Sequence, residues 1–572
     1  MKKTQWMLYT KRADFNELAA RFSISPVLAR IMINRGVPPE EIGTYLHGTL
    51  DDLPDPGLMK DLDRAAEILI RKRDEGKSVR VIGDYDIDGI CATYILTVGF
   101  RSVGIRADYD IPDRIRDGYG LNVNLIRKAD EDGIDTIVTC DNGIAAIDEI
   151  QAAKDLGMTV IVTDHHEVGH DGNGAEKLPP ADAVADPKQE ACSYPFDGIC
   201  GAVVAWKLVG VLYRKCGIPE EKWREFLPFA AIATVGDVMP LREENRIIVR
   251  EGLKAVAATD NPGLCSLMEL CGLVPSEITA YQIGYVIGPC LNAGGRLESA
   301  KIGLRMLLET DPEKAEQAAV HLKELNDERK DMTARGVEEA RLQAEGELAD
   351  QKVLVVYLPD CHESVAGIIA GRLREEYYRP SIVLTDSAAE DCIKGSGRSI
   401  EGYHMFHALE GVSDLLVRFG GHPMAAGLTL KRENEALLRQ RLNDAADLTE
   451  NDLTEKIWID AAMPFSYITE DLVRSLSLLE PCGQGNERPL FAQKNVKIRS
   501  VRVVGRNRNV VRLSLTGEDG FTIDGVAFTD GDRFLEELKE RRVFDILYYP
   551  AINEYMGRNT LQIVIRGWKF RT

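Results

Sequence analysis

The feature that most constrains the fold is the alternation of short β-branched runs with helical stretches between residues 79 and 185. Five such runs occur, at residues 79–82, 107–111, 136–139, 159–163 and 181–185. Each has the length of a strand, and each interval has room for a crossover connection or helix. Strands separated in this way form parallel sheets with helices on both faces. The alternation therefore predicts a doubly wound α/β domain, which the mainly helical residues 201–275 extend.

The rest of the chain predicts four further parts. The acidic stretch 309–350 carries 13 acids and 6 bases, which favours a solvated connecting helix over an interaction surface. A second α/β pattern follows, and beyond residue 455 short strands with Gly-rich turns indicate a small barrel or sandwich. We place the parts at residues 1–55 (short helices), 56–308 (first α/β domain), 309–350 (connecting helix), 351–450 (second α/β domain) and 451–572 (β-rich domain).

Composition excludes several classes of protein. The 572 residues are 44% hydrophobic, with a formal net charge of −21, so the chain is neither disordered nor a basic coat for nucleic acid. No apolar stretch is long enough to span a membrane, and the first residues lack a signal-peptide core. The eleven cysteines contain no C-x-x-C pair, which favours reduced thiols. We expect a cytoplasmic monomer.

The strongest local signal is the sequence GDYDIDG at residues 83–89, directly after a predicted strand. It places acids at Asp84, Asp86 and Asp88. A calcium loop of the EF-hand type also opens D-x-D-x-D-G, but it requires a preceding helix and a glutamate at its twelfth position. That position is Ile95 here. The motif is therefore not an EF-hand, and the acids require another explanation.

Other predicted strands of the first domain also end in acids or histidines. Asp141 follows the third strand, and His165 and His166 follow the fourth, while Asp237 follows an apolar helix. Ligands of open α/β sheets bind at the carboxyl ends of the strands, so these side chains should share one crevice. Oxygen-rich ligands with imidazole suit Mn²⁺ or Mg²⁺, and two such ions about 4 Å apart activate water against a phosphoryl group. The alternative is a polar rim of solvated charges.

These motifs resemble those of the DHH phosphoesterase superfamily, named for the triplet at 164–166. The first motif and GDVMPL at 236–241 match its RecJ branch. Four further patches match as well: GPCLNAGGRL (288–297), HESVAGIIAGRL (362–373), GSGRS (395–399) and GGHPMAAG (420–427). The resemblance covers nearly the whole chain from about residue 50. It implies a parallel-sheet DHH domain, a long connecting helix, a smaller α/β DHHA1 domain and a C-terminal OB-like β-barrel.

RecJ proteins are single-strand-specific 5′→3′ DNA exonucleases that use Mn²⁺ or Mg²⁺. The resemblance implies six metal ligands, namely Asp84, Asp86, Asp88, Asp141, His165 and Asp237. It also implies that His166 faces the scissile phosphate, so that His166, Asp141 and Asp86 form the expected catalytic set. The sequence departs from the family at two positions. Some relatives carry a histidine at Ile82, and many carry an arginine at Cys290.

The same resemblance implies a pocket for a 5′-phosphate, formed by Arg114, Ser396 and Arg398. Arg296, His362 and His422 are further candidates for contact with the substrate. The alternative for each arginine is a structural salt bridge, and for each histidine a hydrogen bond to nearby backbone. The anchored phosphate would set polarity, because the scissile bond lies one nucleotide from it.

Basic residues concentrate in one part of the β-rich domain. Between residues 494 and 514 the chain has seven Lys or Arg and no acid. Together with nearby Phe491, Phe521 and Phe528, this stretch fits single-strand binding by an OB-fold. The alternative is a solvated basic face over an aromatic core.

We therefore predict a metal-dependent exonuclease of DNA repair and recombination that releases 5′-mononucleotides from single-stranded DNA. Two rivals remain open. One is a DHH phosphodiesterase acting on short oligonucleotides or cyclic dinucleotides, and the other is a non-catalytic replication scaffold. A single-strand-binding protein and a helicase are the expected protein partners.

Overall fold

The computed structural model describes residues 2–114, 116–118, 120–387, 391–539, 541–555 and 558–571. Strand β1 (Lys3–Leu8) precedes the first domain, whose sheet holds β2 (Ser78–Ile82), β3 (Arg106–Asp110), β4 (Thr136–Cys140), β5 (Thr159–Thr163) and β6 (Ala183–Ala185). The order is β3-β2-β4-β5-β6, and every pair is parallel. The chain leaves β2 first to one side and then to the other. The carboxyl ends of β2 and β4 therefore flank the point where such sheets open a crevice, and the predicted doubly wound sheet is confirmed.

Helices cover both faces of this sheet. Two of them, Ile87–Ser102 and Gly201–Cys216, are buried along most of their length and pack against each other. Both are apolar nearly all round, as a helix must be when it has no solvent face. The other α-helices of this domain are Leu62–Asp74, Val123–Glu131, Ile147–Asp155, Glu220–Arg224, Leu227–Gly236, Glu243–Ala257, Pro262–Leu270, Ala280–Gln282, Gly288–Leu297 and Lys301–Leu308, with a π-helical turn at Ile283–Ile287.

The predicted connecting helix is Pro312–Glu345, 34 residues long. Asp311 caps its N-terminus, accepting from the backbone N–H groups of Glu313 and Lys314. Ala319 and Leu322 join the core of the first domain, whereas Ala340 and Ala344 join a core of the second. A helix of this length spans about 50 Å. It therefore fixes the two α/β domains to one another.

The second domain carries a mixed five-stranded sheet in the order β10-β11-β9-β8-β7. Its strands are β7 (Leu354–Tyr357), β8 (Ser381–Asp386), β9 (Cys392–Arg398), β10 (Leu416–His422) and β11 (Ala425–Lys431), and its helices are Glu363–Tyr377, Met405–Glu410 and Glu435–Asp444. The pair β7–β8 is parallel, and the other pairs are antiparallel. Both β9 and β10 contain glycines, and sequence patterning did not predict them as strands.

The C-terminal domain is a closed barrel, which confirms the predicted OB-like fold. After β12 (Thr454–Ile459) its strands are β13 (Ala461–Ala462), β14 (Phe491–Val504), β15 (Val510–Thr516), β16 (Thr522–Phe528), β17 (Val543–Tyr555) and β18 (Arg558–Phe570). The order β14-β15-β16-β18-β17 closes because β17 also pairs with β14. Helices Glu470–Leu476 and Gly531–Leu538 flank the barrel.

The N-terminal residues differ from the expected short helices. Helices Phe15–Phe22, Pro26–Asn34 and Ile42–His47 are present, but β1 precedes them and pairs in parallel with β12. Leu28 and Met32 share one hydrophobic core with barrel residues such as Phe491. The pattern of β1 alone could not reveal a partner strand so distant along the chain. Within the described residues, no helix is both long and apolar enough to cross a membrane.

Candidate metal centre and phosphate cleft

The acids after β2 and β4 are held by backbone groups. Asp86 caps helix Ile87–Ser102, accepting from the N–H groups of Asp88 (3.0 Å) and Gly89 (3.2 Å). Asp141 follows β4 with a φ of +60°, a left-handed conformation that is uncommon for a residue with a side chain. Such backbone geometry persists only where surrounding structure fixes it. The Asp86 carboxylate and the Asp141 backbone are therefore held in place before any ligand binds.

Asp88 joins the first helix of the motif to a second helix. Its two carboxylate oxygens accept from the N–H groups of Gly201 and Ala202, both at 2.7 Å. These are the unpaired donors at the start of helix Gly201–Cys216, where negative charge is favoured. Gly201 is required by the close packing, because a Cβ added there would lie 2.7 Å from the Asp141 Cβ.

His165 lies at the centre of the acids. Its Nε2 is 3.1 Å from Asp141 Oδ1, 3.5 Å from Asp88 Oδ2 and 3.8 Å from Asp237 Oδ2. The imidazole is buried, and burial lowers the pKa of His165 below its usual value. A neutral imidazole is the form that binds metal. Asp237 reaches the group from the end of helix Leu227–Gly236.

Asp164 organises the two histidines. Its Oδ1 accepts from the His165 N–H at 2.7 Å and lies 2.7 Å from His166 Nδ1, and its Oδ2 accepts from the Ile144 N–H at 2.8 Å. Burial opposes a charge on His166, but the Asp164 carboxylate outweighs it and raises the pKa of His166 to about 9. His166 is therefore held as a cation beside the acids.

The clustered carboxylates repel one another. Burial and the negative charge of Asp86 raise the pKa of Asp84 well above its usual value. Burial and the negative charge of Asp88 raise the pKa of Asp141 in the same way. The same two causes, burial and Asp88, raise the pKa of Asp237 to about 8. Acids that share a buried site without a cation take up protons to relieve this repulsion. A bound cation would relieve this repulsion, so the electrostatics of the site favour cation binding.

The donor set fits a divalent metal. Three groups bring their ligand atoms within 4.8 Å of one another: Asp84, Asp86 and Asp141; Asp88, His165 and Asp237; and Asp141, His165 and His166. Two buried atoms of this set, Asp84 Oδ1 and His165 Nδ1, have no hydrogen-bond partner among the described residues. Ile82 is fully buried and apolar, so no imidazole stands at that position beside the first group. Carboxylates with imidazole are ligands of Mn²⁺ and Mg²⁺.

Three arginines converge beside the metal centre. Arg398 donates to Ser396 Oγ (3.2 Å), Arg296 donates to the Ser364 carbonyl (2.9 Å), and the Arg114 guanidinium lies over the Tyr85 ring at 4.9 Å. Burial and the charge of Arg114 lower the pKa of Arg296 to about 10 and also lower that of Arg398. Partly buried guanidiniums that repel one another favour a bound phosphate between them.

Arg114 lines a cleft of about 470 Å³ between the two α/β domains, and so do Ser364 and Ser396, the hydrogen-bond partners of the other two arginines. Arg114, Tyr85 and Gly118 line it from the first domain, and Ser364, Ser396, Lys394, Arg418 and Phe419 are among the residues that line it from the second. Lys394, Arg418 and Phe419 were not predicted. Lys394 directly precedes GSGRS, and Arg418 and Phe419 directly precede GGH, so extending each motif by one or two residues finds them.

The two remaining predicted residues lie at different places. His362 caps helix Glu363–Tyr377, where its Nδ1 accepts from the Ser364 N–H at 3.3 Å. This accounts for His362 structurally. His422 ends β10 and is exposed, and its charge contributes to the lowered pKa of Glu167 in the first domain. His422 is therefore within electrostatic range of Glu167, the residue that directly follows His166. Cys290 is buried, and its sulfur lies 4.0 Å from the sulfur of Cys271.

Comparison with known proteins agrees with this architecture. Family models match the DHH family N-terminal domain at residues 78–234, the DHHA1 domain at 350–447 and the RecJ OB domain at 459–567. The single-stranded-DNA-specific exonuclease RecJ of Bacillus subtilis strain 168 is 34% identical over 99% of this chain and 70% of its own length. The RecJ of Haemophilus influenzae is 32% identical over 91% of this chain and 92% of its own.

Solved structures give the same result. RecJ from Thermus thermophilus in complex with Mn²⁺ superposes with a TM-score of 0.84 at 27% identity, covering 99% of this chain and 80% of that one. The Mg²⁺ complex of the same protein gives a TM-score of 0.78. Fold and site together define a DHH-class protein with a divalent-metal centre. Within that class, the chain belongs to the RecJ family of single-stranded-DNA-specific exonucleases.

Proposed function

We propose that this chain hydrolyses single-stranded DNA from its 5′ end and releases 5′-mononucleotides, in DNA repair and recombination. One observation carries the proposal: an acidic metal centre and an arginine-lined cleft lie side by side, where the two α/β domains meet. A terminal phosphate held by Arg114, Ser396 and Arg398 would present the first internucleotide bond to the acids. The relatives that share all three domains are single-stranded-DNA-specific exonucleases.

The residues divide the chemistry among themselves. Asp84, Asp86, Asp88, Asp141, His165 and Asp237 would hold Mn²⁺ or Mg²⁺, which when bound lowers the pKa of water and neutralises phosphoryl charge. His166, kept protonated by Asp164, would donate a hydrogen bond to the scissile phosphate. Arg296, withdrawn from water by the same packing that lowers its pKa, would hold the strand near the junction of the two domains.

The barrel offers a surface for the rest of the strand. Lys497, Arg499, Arg502 and Arg512 are exposed and project from one face, where Arg502 pairs directly with Arg512. Phe528, 68% exposed, lies on the same face. Like charges directly opposite on neighbouring strands are unfavourable unless an anion lies between them. Phe491 is instead fully buried in the core, so its predicted contact with DNA is wrong.

Digestion of end-labelled DNA tests the proposal. We expect 5′-labelled single strands to release labelled mononucleotide with Mn²⁺ or Mg²⁺, and duplexes to be resistant. Asp141→Ala and His165→Ala should abolish release while the circular dichroism spectrum stays unchanged. Degradation of dinucleotides alone would favour a short-oligonucleotide phosphodiesterase. Unchanged rates in both variants would contradict the metal centre.

Partners and location follow from the proposed substrate and from the thiols. A strand-capturing barrel would cooperate with a helicase and a single-strand-binding protein, which generate and cover the substrate. The eleven cysteines are unbridged, which fits a reducing compartment such as the cytoplasm.

A further inference from the structure

Two exposed tyrosines stand out on the first domain. Tyr281 and Tyr285 are 63% and 66% exposed, and their rings stack on each other with centroids 4.7 Å apart and planes at 27°. They lie one turn apart on the helical segment that contains the π-helical turn Ile283–Ile287. Aromatic rings this exposed keep much of their apolar surface in water and gain little from packing inside the protein. Neither tyrosine belongs to the metal centre or the phosphate cleft.

Glycines of this segment pack against residues that neighbour the candidate metal ligands in the chain. A Cβ added at Gly284 would lie 3.6 Å from Val235, two residues before Asp237, and one at Gly288 would lie 3.2 Å from Ile87, which sits between Asp86 and Asp88. Farther along the same run of helix, Asn292 accepts from the Ile87 N–H at 2.8 Å. The tyrosines are thus carried on a support that contacts the metal-binding motifs directly.

The same segment also reaches toward the barrel. Ala280 packs with Leu241, and the Leu241 N–H donates to the Gln484 carbonyl at 2.8 Å in the loop that leads into the barrel. Arg242 donates to the Gly485 carbonyl of that loop at 2.9 Å. The segment that carries the tyrosine pair therefore contacts the stretch of chain that connects Asp237 with the loop leading into the barrel.

We propose that Tyr281 and Tyr285 form a stacking platform for unpaired bases on the 3′ side of the scissile bond. The ligand is single-stranded nucleic acid, recognised by the faces of its bases without sequence preference, since every base has a π-face. This inference rests on the proposed function. It adds a binding site for the strand, distinct from the metal centre that would cleave it and from the barrel that would capture it. A phosphate-only contact would not need rings, and a duplex would not offer its base faces.

Binding and turnover by the full-length chain test the platform. We expect Tyr281→Ala/Tyr285→Ala to weaken binding of an oligothymidylate of about 20 nucleotides in EDTA by about tenfold or more, from the usual contribution of base stacking. KM for that strand with Mn²⁺ should rise similarly, while we expect hydrolysis of a 5′-phosphorylated dinucleotide, which has no further bases beyond the cleaved bond's 3′ nucleotide, to stay unchanged. Tyr281→Phe/Tyr285→Phe should behave as the parent.

The controls separate the two proposals. Tyr467→Ala removes a tyrosine of equal exposure, 66%, outside this surface, and should leave binding unchanged. Placing one abasic site at successive positions should weaken binding by the parent at one or two positions and not by the double alanine variant. If the parent degrades single strands but the alanine variant binds and turns over the long strand equally well, the platform is overturned, even if the tyrosines bind another protein. If the parent degrades no single strand, the proposed function fails first.

Discussion

At the scale of single residues, the metal centre is a set of acids whose charge the fold concentrates. Backbone N–H groups orient Asp86 and Asp88, and within the described part of the chain no lysine or arginine forms an ion pair with Asp84 or Asp237. In a structure that only needed stability, such acids would be paired with bases. Their repulsion makes the metal-free protein sensitive to pH.

We expect the metal-free protein to lose stability as pH rises from about 4 to about 8. Asp237 has a pKa of about 8 in the fold and 3.8 as its ordinary value, so the folded state binds more protons in this window and unfolding becomes easier as they leave. Thermal unfolding in EDTA between pH 5 and pH 8 measures this loss of stability. Asp237→Asn should flatten the slope, and Mn²⁺ should restore stability at the upper end. A slope equal in parent and Asn variant would contradict this account.

The arginine cleft should select the terminal phosphate. Arg398→Ala is expected to reduce the preference for a 5′-phosphate over a 5′-hydroxyl about tenfold or more, because a charge-assisted hydrogen bond contributes about 1.5–3 kcal/mol. Rates on the two strands give the ratio. Arg432→Ala in the same domain, which loses a surface ion pair with Asp386 and a contact with the Tyr357 ring, should keep the parent's ratio. If the rate fell equally on the 5′-phosphate and the 5′-hydroxyl strand, Arg398 would support folding and would not select the phosphate.

Sequence patterns predicted the cluster of acids, whereas for the histidines of the second domain they left two roles open, a contact with the substrate and a hydrogen bond to nearby backbone. The motif spacing placed Asp84, Asp86 and Asp88 after a strand, and parallel strands bring their ends together. His362 lies in an equally distinct motif, yet its Nδ1 caps a helix. Phe491 was grouped with Phe528 by proximity in the chain, but only burial separates a core ring from a surface ring. Burial depends on which residues pack together in the folded chain, and the spacing of residues along the sequence does not predict those contacts.

At the scale of elements, the start of helix Gly201–Cys216 is the tightest junction at the site. We expect Gly201→Ala to lower activity at least tenfold and stability by about 1–3 kcal/mol, because the new Cβ would lie 2.9 Å from the Asp141 Cα. Urea unfolding and single-strand hydrolysis measure the two effects. Gly371→Ala, in a helix with open space at the added Cβ, should keep full activity and gain stability. Equal behaviour of both variants would refute the packing argument.

The strands that sequence patterning missed share one cause. Strands β9 and β10 contain Gly395, Gly397, Gly420 and Gly421, and glycine is a poor strand former. They form because β8 and β11 pair with their backbone. Packing explains two of these glycines, because a Cβ added at Gly395 would lie 2.6 Å from Leu384 and one at Gly397 would lie 3.0 Å from the Met405 sulfur. Gly395 and Gly420 also line the cleft, so residues of the candidate site weakened the secondary-structure signal.

At the scale of the whole molecule, the N-terminal helices and the barrel fold as one unit. We expect Leu28→Ala to destabilise the barrel by about 2–5 kcal/mol, since Leu28 is fully buried in their shared core. Hydrogen exchange of the barrel strands would show the loss there. Leu342→Ala, 69% exposed on the connecting helix, should have little effect. Unchanged protection of the barrel in Leu28→Ala would show that the two parts fold separately.

The loop 236–242 gives the molecule an evolutionary constraint. It contains Asp237, a proposed metal ligand, and its far end makes two hydrogen bonds to the loop that leads into the barrel. An exchange of the barrel for a foreign one would therefore remove support from the backbone just beyond Asp237. Selection on how the strand is captured and selection on how it is cut act on the same few residues. We expect these two parts to be inherited together, with compensating changes at Leu241 and Gln484.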